Sequence, residues 1–172
     1  MIELKNKKTY NELAKNTLSE ILTDDTKYDN REVEITFKAR NLIHFRGMVG
    51  TQQEANMKGM MSMAREKTPE IRDAIKWMGK GIMVLKEIKE KLSKVLDANE
   101  DKNVLKRLKC KLKVFEWQYV AYLCHLYIDQ LGNTKKDHRL TQEMFFITET
   151  IANSIVDDSN KNEISETTIS EG

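Results

Sequence analysis

The run Lys102-Asn103-Val104-Leu105-Lys106-Arg107-Leu108-Lys109-Cys110-Lys111-Leu112-Lys113-Val114-Phe115 carries more of the fold than any other stretch of the chain. Leu105, Leu108, Leu112 and Phe115 advance by threes and fours, and the series continues through Tyr119, Tyr122 and Leu126. That spacing predicts one long amphipathic helix, whose apolar stripe recurs every ~3.6 residues. On such a helix Lys102, Lys106, Lys109 and Lys113 share a face. The same face continues as Trp117, Val120, Cys124 and Tyr127, so a basic surface turns apolar along its length. The stretch 120–128 is apolar nearly all round and requires burial by neighbours or by a partner.

Working back toward the N-terminus, Ile71, Ile75, Met78, Ile82, Leu85, Ile88, Leu92 and Val95 form a second stripe at helical spacing. Thr68-Pro69-Glu70 opens it: the threonine can cap, proline presets the first helical position, and the glutamate meets the positive end of the dipole. The polar run 97–103 is a turn, so the two long helices are expected to lie antiparallel. Thr51-x-x-Glu54 and Thr9-x-x-Glu12 are further helix starts. The latter introduces a helix over 10–22 with Tyr10, Leu13, Ala14, Thr17, Leu18 and Ile21 on one side.

Between them, Val33, Ile35 and Phe37 alternate with polar residues as in a strand, while Ala39, Leu42, Ile43 and Val49 recur at helical spacing. The expectation is a helix over 36–48, interrupted by Gly47 and Gly50. Beyond Gly132 and Asn133, the residues Leu140, Met144, Ile147, Ile151 and Ile155 predict a last helix. With 172 residues, 40% of them apolar, seven glycines and a single proline, the chain is expected to be one all-α bundle of about five to six helices. That domain spans 1–156, and 157–172 reads as a disordered acidic tail.

Charge is segregated. The tail holds five acids against Lys161, whereas 76–113 holds twelve Lys and Arg against five Asp and Glu, although the whole chain is only +2. No run approaches the ~18 apolar residues of a membrane span, and 1–10 lacks the apolar core of a secretory signal. Cys110 and Cys124, about 21 Å apart on one helix at ~1.5 Å per residue, are too distant for a disulfide. A cytoplasmic protein with reduced thiols and no membrane contact is expected.

Catalytic patterns are not found. His44, His125 and His138 lack metal-ligand spacing, and no cofactor or metal is expected. His125 reads as a core histidine. Arg40-Asn41-Leu42-Ile43-His44 resembles the Arg-Asn-x3-His ribonuclease motif of HEPN domains but is one residue short, which rotates His44 by about 100° on a helix. Gly79-Lys80-Gly81 has neither the length nor the preceding strand of a phosphate loop, and reads as a place for close helix packing. Met57, Met60, Met61 and Met63 read as core, or as a soft partner surface. The lysine stripe, with Arg107 and Lys111 beside it, has no acid at i±4 and suits a phosphate backbone.

Three stretches resemble the small helical subunit of type III-A CRISPR effector complexes. Tyr10-Asn11-Glu12-Leu13-Ala14-Lys15 is similar to its first helix, 36–43 to its Thr-x-Ser-Lys-Leu-Arg-Asn-Leu segment, and Val120-Ala121-Tyr122 to an aromatic stretch in its last helix. The resemblance implies a non-enzymatic bundle that stacks with copies of itself along an antiviral ribonucleoprotein and touches guide–target backbone, with Lys38 and Arg40 as the carried-over basic positions.

The sequence therefore predicts a subunit that is not an enzyme. It binds RNA or single-stranded nucleic acid through Lys38, Arg40, Lys102, Lys106, Arg107, Lys109 and Lys113, together with other subunits or copies of itself. The alternative is a regulator of phage or mobile-element type that engages a host protein through the apolar face of Trp117, Val120, Cys124 and Tyr127 or through the Met-rich helix.

Overall fold

The computed structural model describes residues 29–131 and 138–170. The expected helix over 10–22 and the Gly132-Asn133 stop lie outside the described residues. Within them the chain is mostly helical, in the order β1 (Glu32–Lys38), α1 (Ala39–Met63), α2 (Pro69–Asp97), β2 (Arg107–Lys113), α3 (Val114–Leu131) and α4 (His138–Ser170).

The two strands form an antiparallel ribbon in which Glu32 faces Lys113, Ile35 faces Cys110 and Lys38 faces Arg107. This corrects the all-α expectation at its centre. Leu108, Cys110 and Leu112 alternate as well as Leu105, Leu108 and Leu112 advance by threes and fours. What decides between the two periods is a partner far off in sequence: Val33, Ile35 and Phe37 alternate on β1 and offer the matching apolar face. The ribbon buries that face, and its other face carries Glu32, Glu34, Thr36 and Lys38 opposite Lys113, Lys111, Lys109 and Arg107. Cys110 and Cys124 thus sit on a strand and a helix instead of one helix. Both thiols are free and buried, and burial pushes each up to about 12.

Each strand runs straight into a helix, and the two junctions are near copies. At the first, Ala39 N donates to Lys106 O at 2.8 Å and Arg40 N to Val104 O at 2.9 Å. At the second, Val114 N donates to Arg31 O at 2.9 Å and Phe115 N to Asp29 O at 3.2 Å. In both, the first two amides of a helix, which have no partner inside it, are satisfied by the residues one and three places before the opposite strand. A second helix then folds back from each unit onto the other unit's strand: α2 packs on β2, and α4 on β1. The fold is therefore two β-α-α units related by an approximate two-fold axis through the ribbon.

Helix α2 begins as its sequence predicts, with Thr68 Oγ1 accepting from Ile71 N at 3.4 Å, Pro69 in the first turn and Glu70 beside it. Its Leu85, Ile88 and Leu92 are fully buried against Leu42, Phe45 and Val49 of α1 and the inner ribbon face, in one core closed by Trp117, Val120, Cys124, Met144, Ile147 and Ile151. Trp117 Nε1 donates to Val33 O at 2.9 Å, and Phe37 stacks edge-on against Phe45 at 5.2 Å. These contacts fix the ribbon on the helices.

Helices α1 and α2 form an antiparallel hairpin: Gly59 lies against Met78 and Gly50 against Lys89. Helix α1 continues through Gly47 and Gly50 without a break, so Thr51 is not a cap. A glycine inside a helix costs only about 1 kcal/mol, less than packing returns. Gly79 faces open space and does not serve close packing. From Gly50 to Val84 no residue is buried, so this part of the hairpin is an arm projecting from the core. Helix α4 runs on to Ser170, through the segment expected as a disordered tail. Its hydroxyls are accommodated by bonding back to carbonyls one turn earlier, Ser154 to Thr150 at 2.7 Å and Ser159 to Ile155 at 3.0 Å.

Candidate functional site

The approximate two-fold gives two comparable ends of the ribbon, and they are built from opposite chemistry. At the start of α3, Glu116 is fully buried. Its Oε1 accepts from Lys113 N at 2.8 Å, closing the third-position half of a capping box, and from Lys91 Nζ at 2.6 Å. Arg31 is held by Asp29 at 2.6 Å and lies 3.9 Å from Asp158. Burial pushes the Asp29 carboxyl up, but the hydrogen bonds and charge of Arg31 outweigh it and hold Asp29 below the ordinary carboxylate range. On the ribbon face nearest this end, Lys113 and Lys111 stand opposite Glu32 and Glu34. Lys111 and Lys113 thus face acids in register without an ion pair within 4 Å among the described residues, while Arg31 and Lys91 are ion-paired.

At the start of α1 the positions equivalent to Asp29, Asn30 and Arg31 are Val104, Leu105 and Lys106, and the position equivalent to Glu116 is Asn41. The first turn of α1 contains no acid, and its cap residue is Lys38. Lys38 stands directly opposite Arg107, with Lys109 one step along the same face opposite Thr36. Like charges facing each other across a strand pair destabilise it. Lys94 at the end of α2 adds a further cation, and with Lys106 and Lys109 it lines a shallow depression of ≈ 370 Å³ floored by Val95 and Leu108. Among the described residues, acids reach this end as Glu143 on Arg40 at 2.9 Å and Asp101 on Lys106 at 3.4 Å. Lys38, Lys94, Lys102, Arg107 and Lys109 have no ion pair among the described residues. The positive end of the α1 dipole points the same way.

Of the seven basic residues singled out by sequence, Lys38, Lys106, Arg107 and Lys109 come together here, though on a ribbon instead of a helix. Lys102 lies in the adjoining loop with φ 49°, a left-handed conformation. Arg40 is tied to Glu143, and Lys113 belongs to the opposite end, where it faces Glu32 across the ribbon. Lys94 was hidden because Glu90 precedes it by one turn, a spacing that reads as an intrahelical pair.

The apolar face assigned to a partner is internal. Trp117, Val120 and Cys124 are each 0% exposed, because this face of α3 is covered by its neighbours in the core. Tyr127 is half-buried beneath His44, ring centroids 5.0 Å apart, in a groove shared with Ile43, Met48 and Leu126. Burial lowers the pKa of His44, and Glu143 opposes that shift. His125 is buried in α3. Arg40 and His44 lie one turn apart on α1, and the described surroundings give them an ion pair and a ring contact. Apolar surface is exposed instead on the arm, at Met57, Met61, Trp77 and Met83, beside a groove of ≈ 500 Å³ that Trp77 and Met78 share with Tyr119 and Tyr122.

Among the described residues no cluster of His, Cys, Asp and Glu could hold a metal ion, and no helix is long and apolar enough to cross a membrane. Comparison with protein-family models, curated proteins and solved structures finds no match.

Proposed function

We propose that the chain is a non-enzymatic subunit of a nucleoprotein assembly that holds a nucleic-acid backbone at the basic end of its ribbon. The observation that supports this reading is the contrast between the two ends: at one, Asp29 and Glu116 pair with Arg31 and Lys91, and Glu32 and Glu34 stand across the ribbon from Lys113 and Lys111; at the other, Lys38 faces Arg107, Lys109 faces Thr36, and these with Lys94 have no ion pair among the described residues. Cations assembled against their mutual repulsion are stabilised when phosphates displace their counterions. The binding so produced is independent of base sequence and weakens with salt. Lys38 and Arg40 are also the positions implied by the resemblance to the CRISPR small subunit, and that assembly is part of the proposal.

The test is fluorescence anisotropy with a single-stranded RNA oligonucleotide. Affinity is expected to fall as salt rises, with a slope of about −0.7 per neutralised phosphate on a log–log plot. The Arg107→Glu/Lys109→Glu variant is expected to lose on the order of a hundredfold at low salt, since two phosphate contacts become repulsions. Wild-type protein that fails to bind, or a variant that binds equally, contradicts the proposal.

A second reading has a specific observation in its favour. The exposed Met57, Met61, Met83 and Trp77 of the arm form the soft, adaptable surface that protein-binding regulators use. Purification from the native cell with and without nuclease separates the two: a protein partner that survives nuclease treatment favours the arm.

A further inference from the structure

Val104 and Leu105 lie in the loop that enters β2, 49% and 58% exposed, in the middle of the basic end. Their backbone is held at several points. Val104 O accepts from Arg40 N at 2.9 Å, Leu105 N donates to Asn103 Oδ1 at 3.0 Å, Lys106 N donates to Asn103 O at 3.2 Å, and Lys106 O accepts from Ala39 N at 2.8 Å. The side chains are thus presented to solvent on a fixed frame, with little ordering entropy left to lose on contact. The structural role of this loop does not call for apolar residues. At the other end of the ribbon Asp29-Asn30-Arg31 satisfies the first two amides of α3 through the same carbonyl positions, and its residues are polar.

We propose that Val104 and Leu105 are an apolar tip that packs on unpaired bases, so that this end binds single strands in preference to duplex. The inference rests on the backbone-binding reading above and names the form of nucleic acid it takes. Lys106 and Arg107 follow the tip directly and Lys38 stands opposite Arg107 across the ribbon, cations that fit phosphates; what an aliphatic pair beside them fits is the face of a base. A single strand offers that face next to its phosphates, whereas a duplex hides it in the stack. An anionic lipid surface also combines negative charge with apolar depth. Two half-exposed aliphatic side chains present less apolar surface than a single acyl chain, which by itself binds membranes only marginally.

The experiment measures the affinity of the full chain for three probes of equal length: a single-stranded RNA, the corresponding duplex, and an abasic sugar-phosphate strand. Vesicles containing phosphatidylserine are the fourth probe. Wild type is expected to bind the base-bearing strand on the order of five- to tenfold tighter than the abasic one. That ratio should persist as salt rises, because an apolar contact is not screened. The Val104→Asn/Leu105→Asn variant keeps the loop carbonyls and is expected to bind both single strands at the wild-type abasic level, with unchanged thermal unfolding. Equal wild-type affinity for the two strands, or a variant that retains the preference, overturns the tip while leaving backbone binding intact. Binding to vesicles without binding to the strands, or to no probe at all, overturns both.

Discussion

The two β-α-α units of this protein share a backbone plan and differ in what they place on it. In the second unit most of α3 from Val114 to Ile128 is buried, its first turn is closed by Glu116, and the approaching chain brings Asp29 and Arg31 as a matched pair. In the first unit the corresponding helix starts among cations and two exposed aliphatic side chains, then leaves the core altogether as one half of an arm. A repeated scaffold supplies its own control: whatever one end achieves with acids and caps is compatible with the fold, so its absence at the other end is not imposed by the fold. On the proposed reading, the difference assigns binding to the first unit and stability to the second.

Breaking the stable end should have the largest effect on folding. Glu116→Leu leaves the Lys113 amide without its acceptor and Lys91 without its counterion. Lys91 is 31% exposed and can regain water, so the cost is expected near 2–3 kcal/mol, read by urea unfolding. A loss below about 0.5 kcal/mol would mean that the capping box does not hold this junction. Transplanting the device is the sharper test. Asn41→Glu places a carboxylate where α1 lacks one, and is expected to stabilise the protein by about 0.5–1 kcal/mol through the cap and the helix dipole while weakening RNA binding severalfold. Stability and affinity moving in the same direction would contradict the division of roles. The smallest expected effect is at Lys102, whose left-handed φ suits glycine: Lys102→Gly should raise unfolding free energy by about 0.5 kcal/mol and cost little affinity, the loop cation being peripheral. A destabilised variant would show that the lysine side chain supports the turn.

Some of this was legible in the sequence. The start of α2 was, because Thr68-Pro69-Glu70 acts locally and Ile71 to Val95 keeps one period throughout. The ribbon was not, because Leu105, Leu108, Leu112 and Phe115 satisfy a helical period while Leu108, Cys110 and Leu112 satisfy that of a strand. The partner strand that settles the matter lies more than sixty residues earlier in the chain. The repeat was hidden for a related reason: Val33, Ile35, Phe37 and Leu42 correspond in position to Leu108, Cys110, Leu112 and Trp117, all buried except the partly buried Leu108, with no identity between them. The basic residues themselves were visible. Their division into a group that faces acids across the ribbon and a group that does not was hidden, since Glu32 and Glu34 oppose Lys113 and Lys111 across strands and no i±4 rule reaches them.

One measurement tests the contrast of the two ends most directly. Binding of the same single-stranded RNA is compared for Lys38→Glu/Arg107→Glu and for Lys111→Glu/Lys113→Glu, two equal charge reversals on one face of one ribbon. The first is expected to lose on the order of a hundredfold in affinity and to flatten the salt dependence, the second to lose no more than a few-fold, through long-range charge alone. Equal losses from the two variants would contradict the account.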